Sequence, residues 1–368
     1  MGWEMLHSSA KWGRQLLMVH MDNHLVGDPL GTHRVLEPQG ALPQMAWRLD
    51  NDVSRVFSNE VVLDVEALSI DAASFRQMDM SAAGDERGIM RSVTRTVRSR
   101  GKQHNPVTGT GGVLMGKVLA IGVDAAEVAP TVGERIVSLA SLTVTPLRLE
   151  KIRRVHRAAG QLEIKGQAVM CHTYPFAVVP ESMEPRLALA MWSVCAAPAL
   201  VQRLTHPGQN VLIYGAGGKS GVLCAYVARQ RIGKEGKLFG VDISEAAASE
   251  LRALGLCDEV VVRDGSDFLS GRELSSRIGL DKGFDVVLSC VSAGEVEMGA
   301  ILATCTGGKV CFFSSQTSIT RAVFGAQAAC QDVALVMGGG YVEGQAQLVL
   351  NVFHECPAIR NLFAERYL

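Results

Sequence analysis

The strongest chemical signal in the sequence is a glycine-rich segment that joins an apolar strand to a helix. Residues 211–214 are apolar and run directly into GAGGKSG, residues 215–221, after which VLCAYVA is typical of a helix. Glycines in such a loop allow a tight turn and a close approach to a pyrophosphate, and the helix N-terminus adds backbone amide donors. The segment therefore predicts a dinucleotide site. The residues expected to contact the dinucleotide are Gly215, Gly217, Gly218, Lys219, Ser220 and Gly221.

An aspartate at the end of the next strand indicates which dinucleotide binds. Asp242 follows Gly221 by 21 positions, close to the spacing of about 20 expected for an acid that binds a ribose diol. A carboxylate there repels the 2′-phosphate of NADP, so the sequence favours NAD. The alternative is that Asp242 caps the following helix. Cys290, at the end of another apolar run, is also expected to contact the cofactor.

The same loop contains GKS, which invites comparison with the phosphate-binding loop of nucleotide triphosphatases. That loop needs a glycine five residues before Gly218, where this sequence has Ile213, so the triphosphate cradle is incomplete. Lys219 is then either a pyrophosphate contact or a solvated lysine in the first helical turn.

Two regions with different patterns of apolar and polar residues must position these residues. Residues 60–70, EVVLDVEALSI, alternate apolar and polar residues, which predicts a half-buried strand with one wet face, and short strands continue to about residue 179. Residues 86–100 predict an amphipathic helix with an arginine-rich face, which is either solvated or grips carboxylates. From about residue 185, apolar strands alternate with helices, which predicts a doubly wound parallel sheet. The predicted fold class is therefore α/β, with a β-rich region before a dinucleotide-binding (Rossmann) domain.

Composition excludes several classes of function. The chain has 368 residues, enough for two domains, and 36 Lys and Arg against 37 Asp and Glu leave no basic excess for nucleic acid. No run approaches the roughly 18 apolar residues of a membrane span, and the N-terminus lacks the pattern of a signal peptide. The nine cysteines are odd in number and widely spaced, which is typical of free thiols in a reducing compartment. We therefore expect a cytoplasmic protein without structural zinc.

The order of these parts resembles the medium-chain dehydrogenase/reductase superfamily. Matching segments are EVVLDVEALSID, GGVLMGKVLAIG, VGERIVSL and AVVPE. Within the superfamily, GTHRVLEP (31–38), HNPVTGTGG (104–112), YGAGGKSG (214–221) and FFSSQTSITRA (312–322) resemble the L-erythro-3,5-diaminohexanoate dehydrogenases of lysine fermentation. The resemblance implies an N-terminal extension over residues 1–29, a GroES-like β-rich catalytic domain over 30–183, an NAD-binding Rossmann domain over 184–340 and a C-terminal return to the catalytic domain over 341–368.

The resemblance also implies an activity and an assembly. The reaction would be NAD-dependent oxidative deamination at carbon 3 of a diamino acid, which gives 5-amino-3-oxohexanoate, ammonia and NADH. The assembly would be a homo-oligomer, a dimer or a tetramer. Two further readings stay open, which are a zinc-free NADPH-dependent quinone or enoyl reductase and a non-catalytic dinucleotide-binding protein.

One departure from the zinc-dependent alcohol dehydrogenases concerns the metal. Where those enzymes carry a cysteine after the barrel strand, this sequence has Asp71, and where they carry a histidine and a glutamate it has Gly112 and Val113. We therefore expect no metal site. An amine can lose a proton and then a hydride without a metal-bound alkoxide, so the loss fits an amine substrate.

Two residues are expected to move protons. By the resemblance, Asp71 lies at the barrel end that faces the nicotinamide, where its carboxylate would bind or deprotonate the reacting amine. The alternative is that Asp71 caps the turn into residues 72–75. His104, in the HNPVTGTGG turn, is either a proton shuttle near neutral pH or a loop histidine that hydrogen-bonds backbone.

A substrate with two ammonium groups and one carboxylate also needs polar groups to hold it. Lys102 or Arg95 would hold the carboxylate, and residues 338–344, GGGYVEG, are either a plain turn or an approach of Tyr341 and Glu343 to the site. The hydroxyl and acidic candidates each have an alternative as purely structural or solvent-facing side chains. The candidate substrate-binding residues are Glu66, Ser74, Lys102 and Thr143.

Overall fold

The computed structural model describes residues 20–21, 25–280, 282–314 and 316–368. Most of the extension predicted for residues 1–29 lies outside these described residues. Residues 20–21 form a short strand, β1 (His20–Met21), which pairs in parallel with β4 (Arg55–Val56).

The N-terminal half is built around a six-stranded antiparallel sheet with the order β10-β7-β6-β5-β9-β8. Two further short strands, β2 and β3, pair beside it. Two helices, α1 and α2, connect β5 to β6. The remaining elements in chain order are β2 (Val35–Glu37), β3 (Arg48–Leu49), β5 (Glu60–Ile70), α1 (Ala72–Ser81), α2 (Glu86–Arg100), β6 (Gly112–Ile121), β7 (Arg135–Ser138), β8 (Leu147–His156), β9 (Gln161–Cys171) and β10 (Phe176–Val178).

Strand β5 occupies the predicted residues, but the prediction of one wet face is wrong. All of its residues except Asp64 and Glu66 are buried. The pairing of β5 with both β6 and β9 shifts register between Val65 and Ala67, and against β6 Glu66 is the extra residue of a bulge, whereas against β9 the extra residue lies on β9. A bulge reverses which side of the strand later residues face, and Leu68 and Ile70 accordingly pack in the same core as Val65 and its neighbours.

The predicted amphipathic helix over residues 86–100 is confirmed as α2. Its four-spaced apolar residues Ile89, Val93 and Val97 are buried. The Asp85 carboxylate caps the helix by accepting hydrogen bonds from the first-turn amides, and Gly101 ends it in the left-handed conformation, φ 65°. Arg87, Arg91, Arg95 and Arg98 are exposed, whereas Arg100, the last residue of the helix, is buried.

The C-terminal half contains the predicted doubly wound sheet. Six parallel strands lie in the order β13-β12-β11-β14-β15-β16, which confirms the predicted α/β fold class. The elements are α3 (Pro185–Trp192), α4 (Ala196–Leu204), β11 (Val211–Tyr214), α5 (Lys219–Ile232), β12 (Leu238–Asp242), α6 (Glu245–Ala253), β13 (Glu259–Val262), α7 (Ser270–Arg277), β14 (Phe284–Ser289), α8 (Glu297–Leu302), β15 (Thr304–Phe312), α9 (Ile319–Ala328), β16 (Val333–Met337), α10 (Gln345–Glu355) and α11 (Pro357–Tyr367).

The strand order reverses beside β11, and this point locates the site. β11 pairs with β12 on one side and with β14 on the other, so the chain leaves these strands toward opposite edges of the sheet. The crevice at the carboxyl ends of such strands is where α/β sheets bind ligands. The predicted glycine loop follows β11 and therefore opens into this crevice.

The last two helices hold the sheet and the N-terminal domain together. α10 and α11 pack on α3, α4 and α5, and α11 also contacts the turn at residues 157–159 of the N-terminal half. No single helix in the described ranges is long and apolar enough to cross a membrane, although α3 and α4, bent by 42° at their junction, pass that test as a pair on length and composition. Most of α3 is buried in the core between the two halves.

Candidate active site

A cleft of about 810 Å³ opens between the two halves at the carboxyl ends of the parallel strands. The antiparallel half contributes the end of β5 and the start of α1, and the parallel half contributes the loops after β11, β12, β14 and β15. Residues with predicted roles that line this cleft are Asp71, Thr143, Gly215, Gly218, Lys219, Ser220, Asp242 and Cys290.

The glycine loop has the close packing that a phosphate site requires. A side chain at Gly221 would meet the Gly215 carbonyl oxygen at 2.2 Å, and one at Gly217 would meet Ala247 at 2.7 Å. Gly215 itself has φ 70°, a conformation that favours glycine. Gly218 precedes α5, whose first turn receives no side-chain cap within the described structure. These amides are therefore available to a pyrophosphate, and the loop fits a dinucleotide.

Asp242 ends β12 and holds the glycine loop from the side. Its Oδ2 accepts a hydrogen bond from Gly217 N at 2.9 Å, and its Oδ1 accepts one from Ser244 N at 3.0 Å. The alternative that Asp242 caps α6 is wrong, because Ser244 is the N-cap and its hydroxyl accepts from Ala247 N. The carboxylate is nearly buried and lines the cleft, where a ribose diol could reach it.

Asp71 stands at the junction between β5 and α1. It occupies the N-cap position of α1, but its side chain makes no capping hydrogen bond. Instead Oδ2 accepts from Gly111 N at 3.2 Å, across the turn that precedes β6. Burial raises the pKa of Asp71, although the Gly111 amide, the charge of Lys219 and the Thr110 hydroxyl each act in the opposite direction. The Asp71 carboxylate therefore lines the cleft with a raised pKa.

Lys219 is not the solvated first-turn lysine that the sequence left open. Its Nζ lies 3.5 Å from Ser193 Oγ, at the end of α3, and 4.9 Å from the centre of the Tyr367 ring in α11. Burial lowers the pKa of Lys219 to about 8, and the charge of Asp71 partly opposes that shift. A lysine from one half and an aspartate from the other therefore share the cleft.

Two other predicted residues line the cleft without a charged role. Thr143 Oγ1 hydrogen-bonds Gln44 Oε1 and lies 2.8 Å from Ser141 Oγ, and all three residues line the cleft. Cys290 Sγ lies 3.9 Å from Cys224 Sγ on the floor of the crevice.

Two of the predicted ionisable residues face away from the cleft lining. Lys102 is fully buried, and its Nζ donates to the Pro43 carbonyl oxygen at 2.6 Å; burial lowers its pKa to about 7. Glu66 projects from the bulge of β5 and forms an ion pair with Arg135 at 2.8 Å. The Lys102 side chain lies in the interior and the Glu66 side chain lies at the surface, so neither lines the cleft.

His104 and Ser74 lie behind the cleft wall. Burial lowers the pKa of His104 to about 4, with the charges of Lys102 and Arg100 adding to the effect, so its ring is neutral at physiological pH. Ser74 is buried and hydrogen-bonds Thr108 Oγ1 at 2.6 Å. Ser74 and its partners support the turn that carries the Gly111 amide, which in turn binds Asp71.

Several residues in the cleft lining or next to the glycine loop belong to no sequence motif. Arg76, one turn into α1, lines the cleft and forms no ion pair with any described residue. Arg366 of α11 donates to the Gly217 carbonyl oxygen at 2.8 Å. Ser193 is placed by the end of α3. Such contacts join segments far apart in the chain, so spacing alone does not reveal them.

The described residues contain no group of three or more His, Cys, Asp or Glu side chains that could hold a metal ion. At Gly112, φ is 121° and a side chain would meet the Ser69 carbonyl oxygen at 1.9 Å. No ligand side chain fits at that position.

Comparison with known proteins finds relatives along nearly the whole chain. A family model described as the N-terminal domain of L-erythro-3,5-diaminohexanoate dehydrogenase matches residues 33–180. The chain is 38% identical over 343 residues to the L-erythro-3,5-diaminohexanoate dehydrogenase of Acetoanaerobium sticklandii, which covers 93% of this chain and 99% of that protein. The protein of the same name from Fusobacterium nucleatum has the same identity and coverage.

Solved structures show the same fold at low sequence identity. The quinone oxidoreductase from Coxiella burnetii matches with a TM-score of 0.52 and 16% identity, over 81% of this chain and 80% of that one. CurK enoyl reductase matches with a TM-score of 0.51 and 17% identity, over 84% of this chain and 78% of that one. Likeness at this level concerns the architecture and not the substrate.

Proposed function

The chain belongs to the family of L-erythro-3,5-diaminohexanoate dehydrogenases, and from that premise we propose that it catalyses the oxidative deamination of this diamino acid with NAD. Carbon 3 loses a hydride and its amino group, and the products are 5-amino-3-oxohexanoate, ammonia and NADH. The observation that carries the proposal is the carboxylate of Asp71, which lines the cleft opposite the glycine loop. When bound, the nicotinamide supplies the hydride acceptor.

The proposed cofactor site consists of the glycine loop and Asp242. The uncapped first turn of α5 would bind the pyrophosphate, with Ser220 and the glycines around it. Asp242 would accept hydrogen bonds from the ribose diol, and its charge disfavours a 2′-phosphate. The two backbone hydrogen bonds that Asp242 already accepts fix its position beside the loop, which supports NAD over NADP.

The proposed catalytic role of Asp71 is to take the proton of the reacting ammonium. An amine must be neutral before it can release a hydride from the adjacent carbon, so a nearby base is needed. The Asp71 carboxylate is held by the Gly111 amide and is partly desolvated, which favours both binding of an ammonium and acceptance of its proton. His104 is not needed in this scheme, because its ring lies outside the lining.

The substrate carboxylate requires a cation in the cleft. We propose Arg76 for this role in place of Lys102 or Arg95. Arg76 lines the cleft with no ion pair among the described residues, whereas Lys102 is fully buried against backbone carbonyls and Arg95 lies on the exposed face of α2. A guanidinium binds a carboxylate through two parallel hydrogen bonds, which also fixes its orientation.

We also propose that the reaction needs no bound metal. Asp71 stands where the zinc-dependent relatives carry a cysteine, and Gly112 has no room for a ligand side chain. Iminium formation from a neutral amine does not require a Lewis acid to polarise an alkoxide.

All nine cysteines are free thiols, which supports a reducing, cytoplasmic compartment.

A homo-oligomer is proposed from the apolar surface near the sheet edge. Ile319 and Phe324 of α9 and Met337 of the edge strand β16 are exposed, and exposed large apolar side chains are typical of subunit contacts. Sedimentation at several protein concentrations measures the subunit number.

The function is tested by following NADH absorbance with purified protein, NAD and L-erythro-3,5-diaminohexanoate. Turnover with the diamine and NAD, and much slower turnover with NADP or simple alcohols, is the expected result. The matched control is NADPH with a quinone or an enone, because the fold is shared with such reductases. Activity only in that control would contradict the proposed function.

A further inference from the structure

Lys219 combines a position in the cofactor loop with a side chain that reaches the catalytic side of the cleft. Its backbone is the first residue of α5, directly after Gly218. Its amine meets the Ser193 hydroxyl and the face of the Tyr367 ring, which lie on helices from outside the loop. Both Lys219 and Asp71 line the cleft. A primary amine and a carboxylate from opposite halves therefore face one enclosed space.

The surroundings of Lys219 do not give it a structural role. In the described part of the chain its ammonium has no carboxylate within 4.0 Å, and its one hydrogen bond, to the Ser193 hydroxyl, is long at 3.5 Å. A buried ammonium is normally paired with a carboxylate or fully hydrogen-bonded, because burial otherwise disfavours its charge. Lys219 is half-buried, and a lysine without such partners inside a cleft is typical of a group that exchanges protons.

We propose that Lys219 is the catalytic base that takes a proton from water as that water attacks carbon 3 of the substrate iminium. The inference rests on the proposed function, since an iminium forms only if the enzyme oxidises an amine. It divides the two proton transfers of the reaction between two residues, with Asp71 serving the nitrogen and Lys219 serving the water.

The Asp71 carboxylate takes one proton from the ammonium, and loss of hydride from carbon 3 then leaves an iminium. Water adds to carbon 3 while neutral Lys219 takes a proton from it, so the carbon–oxygen bond forms and the electron pair of the carbon–nitrogen double bond moves to nitrogen. Asp71 returns its proton to that nitrogen. The carbon–nitrogen bond breaks, ammonia leaves with the electron pair, and it takes the hydroxyl proton to become ammonium as the ketone forms. Lys219 releases its proton to solvent.

The charges around Lys219 set the pH at which it can act. Asp71, ahead of α1, is the acid that faces it, and this charge holds the pKa of Lys219 higher than burial alone would. From α11, the Tyr367 ring packs on the amine, and Arg366 is occupied by Glu250 and the Gly217 carbonyl oxygen. Ser193 contributes an uncharged hydroxyl. With a pKa of about 8, Lys219 is partly neutral in mildly alkaline solution, so kcat should rise with pH through that range.

Four purified proteins test the proposal: wild type, Lys219→Ala, Lys219→Arg and Lys234→Ala. Lys234 is an exposed lysine just beyond the other end of α5, and its removal is the matched control. Stopped-flow mixing with NAD and L-erythro-3,5-diaminohexanoate measures the first turnover and the steady state separately. NADH binding is measured independently by fluorescence titration, and steady-state assays are repeated with added propylamine.

Lys219→Ala should form about one NADH per site in the first turnover. Its steady-state rate should then be at least about 100-fold slower than that of wild type, because general-base catalysis contributes about 10²–10⁴-fold. Lys219→Arg should show the same pattern, since a guanidinium keeps the charge but cannot accept a proton at these pH values. Propylamine should restore part of the Lys219→Ala rate, and only that of this variant. NADH affinity should stay within about threefold of wild type in each protein, and the wild-type rise of kcat with pH should disappear in both Lys219 variants.

Three results would overturn the inference. Near-normal steady-state turnover of Lys219→Arg would mean that only the positive charge matters. Loss of NADH binding in Lys219→Ala, restored in Lys219→Arg, would make Lys219 a pyrophosphate contact. Loss of the first turnover together with the steady state, at normal NADH affinity, would place Lys219 before hydride loss. Absence of NADH formation by wild type and by Lys234→Ala would instead overturn the proposed function, and the inference with it.

Discussion

A buried ion pair at the base of the N-terminal domain predicts how the enzyme responds to acid. The Glu60 carboxylate, at the start of β5, accepts two parallel hydrogen bonds from Arg34, at 2.7 and 2.6 Å. It also bonds His33 Nε2 at 2.8 Å and accepts from Phe57 N at 2.9 Å. Glu60 and Arg34 are almost fully buried. Desolvation raises the pKa of Glu60, but Arg34, His33 and the Phe57 amide together lower it further, to about 2.

The size of the effect follows from that pKa. A shift from 4.5 to about 2 corresponds to about 3 kcal/mol at about 1.36 kcal/mol per pKa unit. Because the folded-state pKa is lower than the unfolded one, this stabilisation is complete above about pH 5 and is lost as the pH falls toward about 2. About 1.4 kcal/mol of it should already be lost on going from neutral pH to about pH 3.5. Glu60→Gln should cost about 3–5 kcal/mol at neutral pH, because it leaves the Arg34 charge buried without a counter-charge.

Urea unfolding followed by fluorescence, at neutral pH and at about pH 3.5, measures both quantities. The matched control is Glu245→Gln, which removes an exposed carboxylate from its pair with Arg252 and should change the unfolding free energy by less than about 1 kcal/mol. The unfolding free energy of Glu60→Gln should depend less on pH than that of wild type. A Glu60→Gln protein with wild-type stability at neutral pH and unchanged acid sensitivity would show that the Glu60–Arg34 pair does not stabilise the fold.

Three further perturbations concern the cofactor and the metal. Asp242→Ser should raise the KM for NAD about tenfold or more, because a hydrogen bond to a charged acceptor is worth about 1.5–3 kcal/mol. It should also weaken discrimination against NADP. Initial rates with both cofactors measure these effects, and an unchanged cofactor preference would contradict the role assigned to Asp242. Arg366→Ala, which deletes the 2.8 Å hydrogen bond to the Gly217 carbonyl oxygen, should weaken NADH binding about fivefold or more in a fluorescence titration, while kcat at saturating NAD stays near normal. Dialysis against a chelator should leave turnover unchanged, and elemental analysis that found one zinc per chain would contradict the proposed metal-free reaction.

Local signals in the sequence determine some elements completely. Residues 86–100 form a helix because a capping aspartate, a four-residue apolar spacing and a terminal glycine all agree within one segment. Strand β5 is different. Its alternation of apolar and polar residues is interrupted at Glu66, and the hydrogen-bonded pairing with the neighbouring strands on both sides decides which face the later residues take. The partners β6 and β9 both slip register at the same place, and they lie far from β5 in the sequence. The resulting burial of nearly the whole strand is therefore a property of the sheet, which alternation alone mispredicts.

The candidate site shows the same division. The glycine loop and Asp242 are predictable because one strand-loop-helix-strand unit contains them, and motif spacing describes that unit. Residues such as Lys102 and Glu66 have suitable chemistry, but their direction depends on side chains elsewhere. The Lys102 side chain is directed into the interior because its ammonium donates a hydrogen bond to the Pro43 carbonyl oxygen. The Glu66 side chain is directed outward because its carboxylate pairs with Arg135. Charge type limits what a residue can do, whereas packing decides whether it reaches the cleft.

Lys219 and Asp71 interact electrostatically across the cleft. Each charge stabilises the other, because Asp71 raises the proton affinity of Lys219 and Lys219 lowers that of Asp71. Asp71→Asn should therefore lower the pKa of Lys219 below about 8, which competitive acetylation of the apo protein measures without any turnover. An unchanged reactivity of Lys219 in Asp71→Asn would mean that the two groups are electrostatically independent, and that the two proton transfers are not coupled through the cleft.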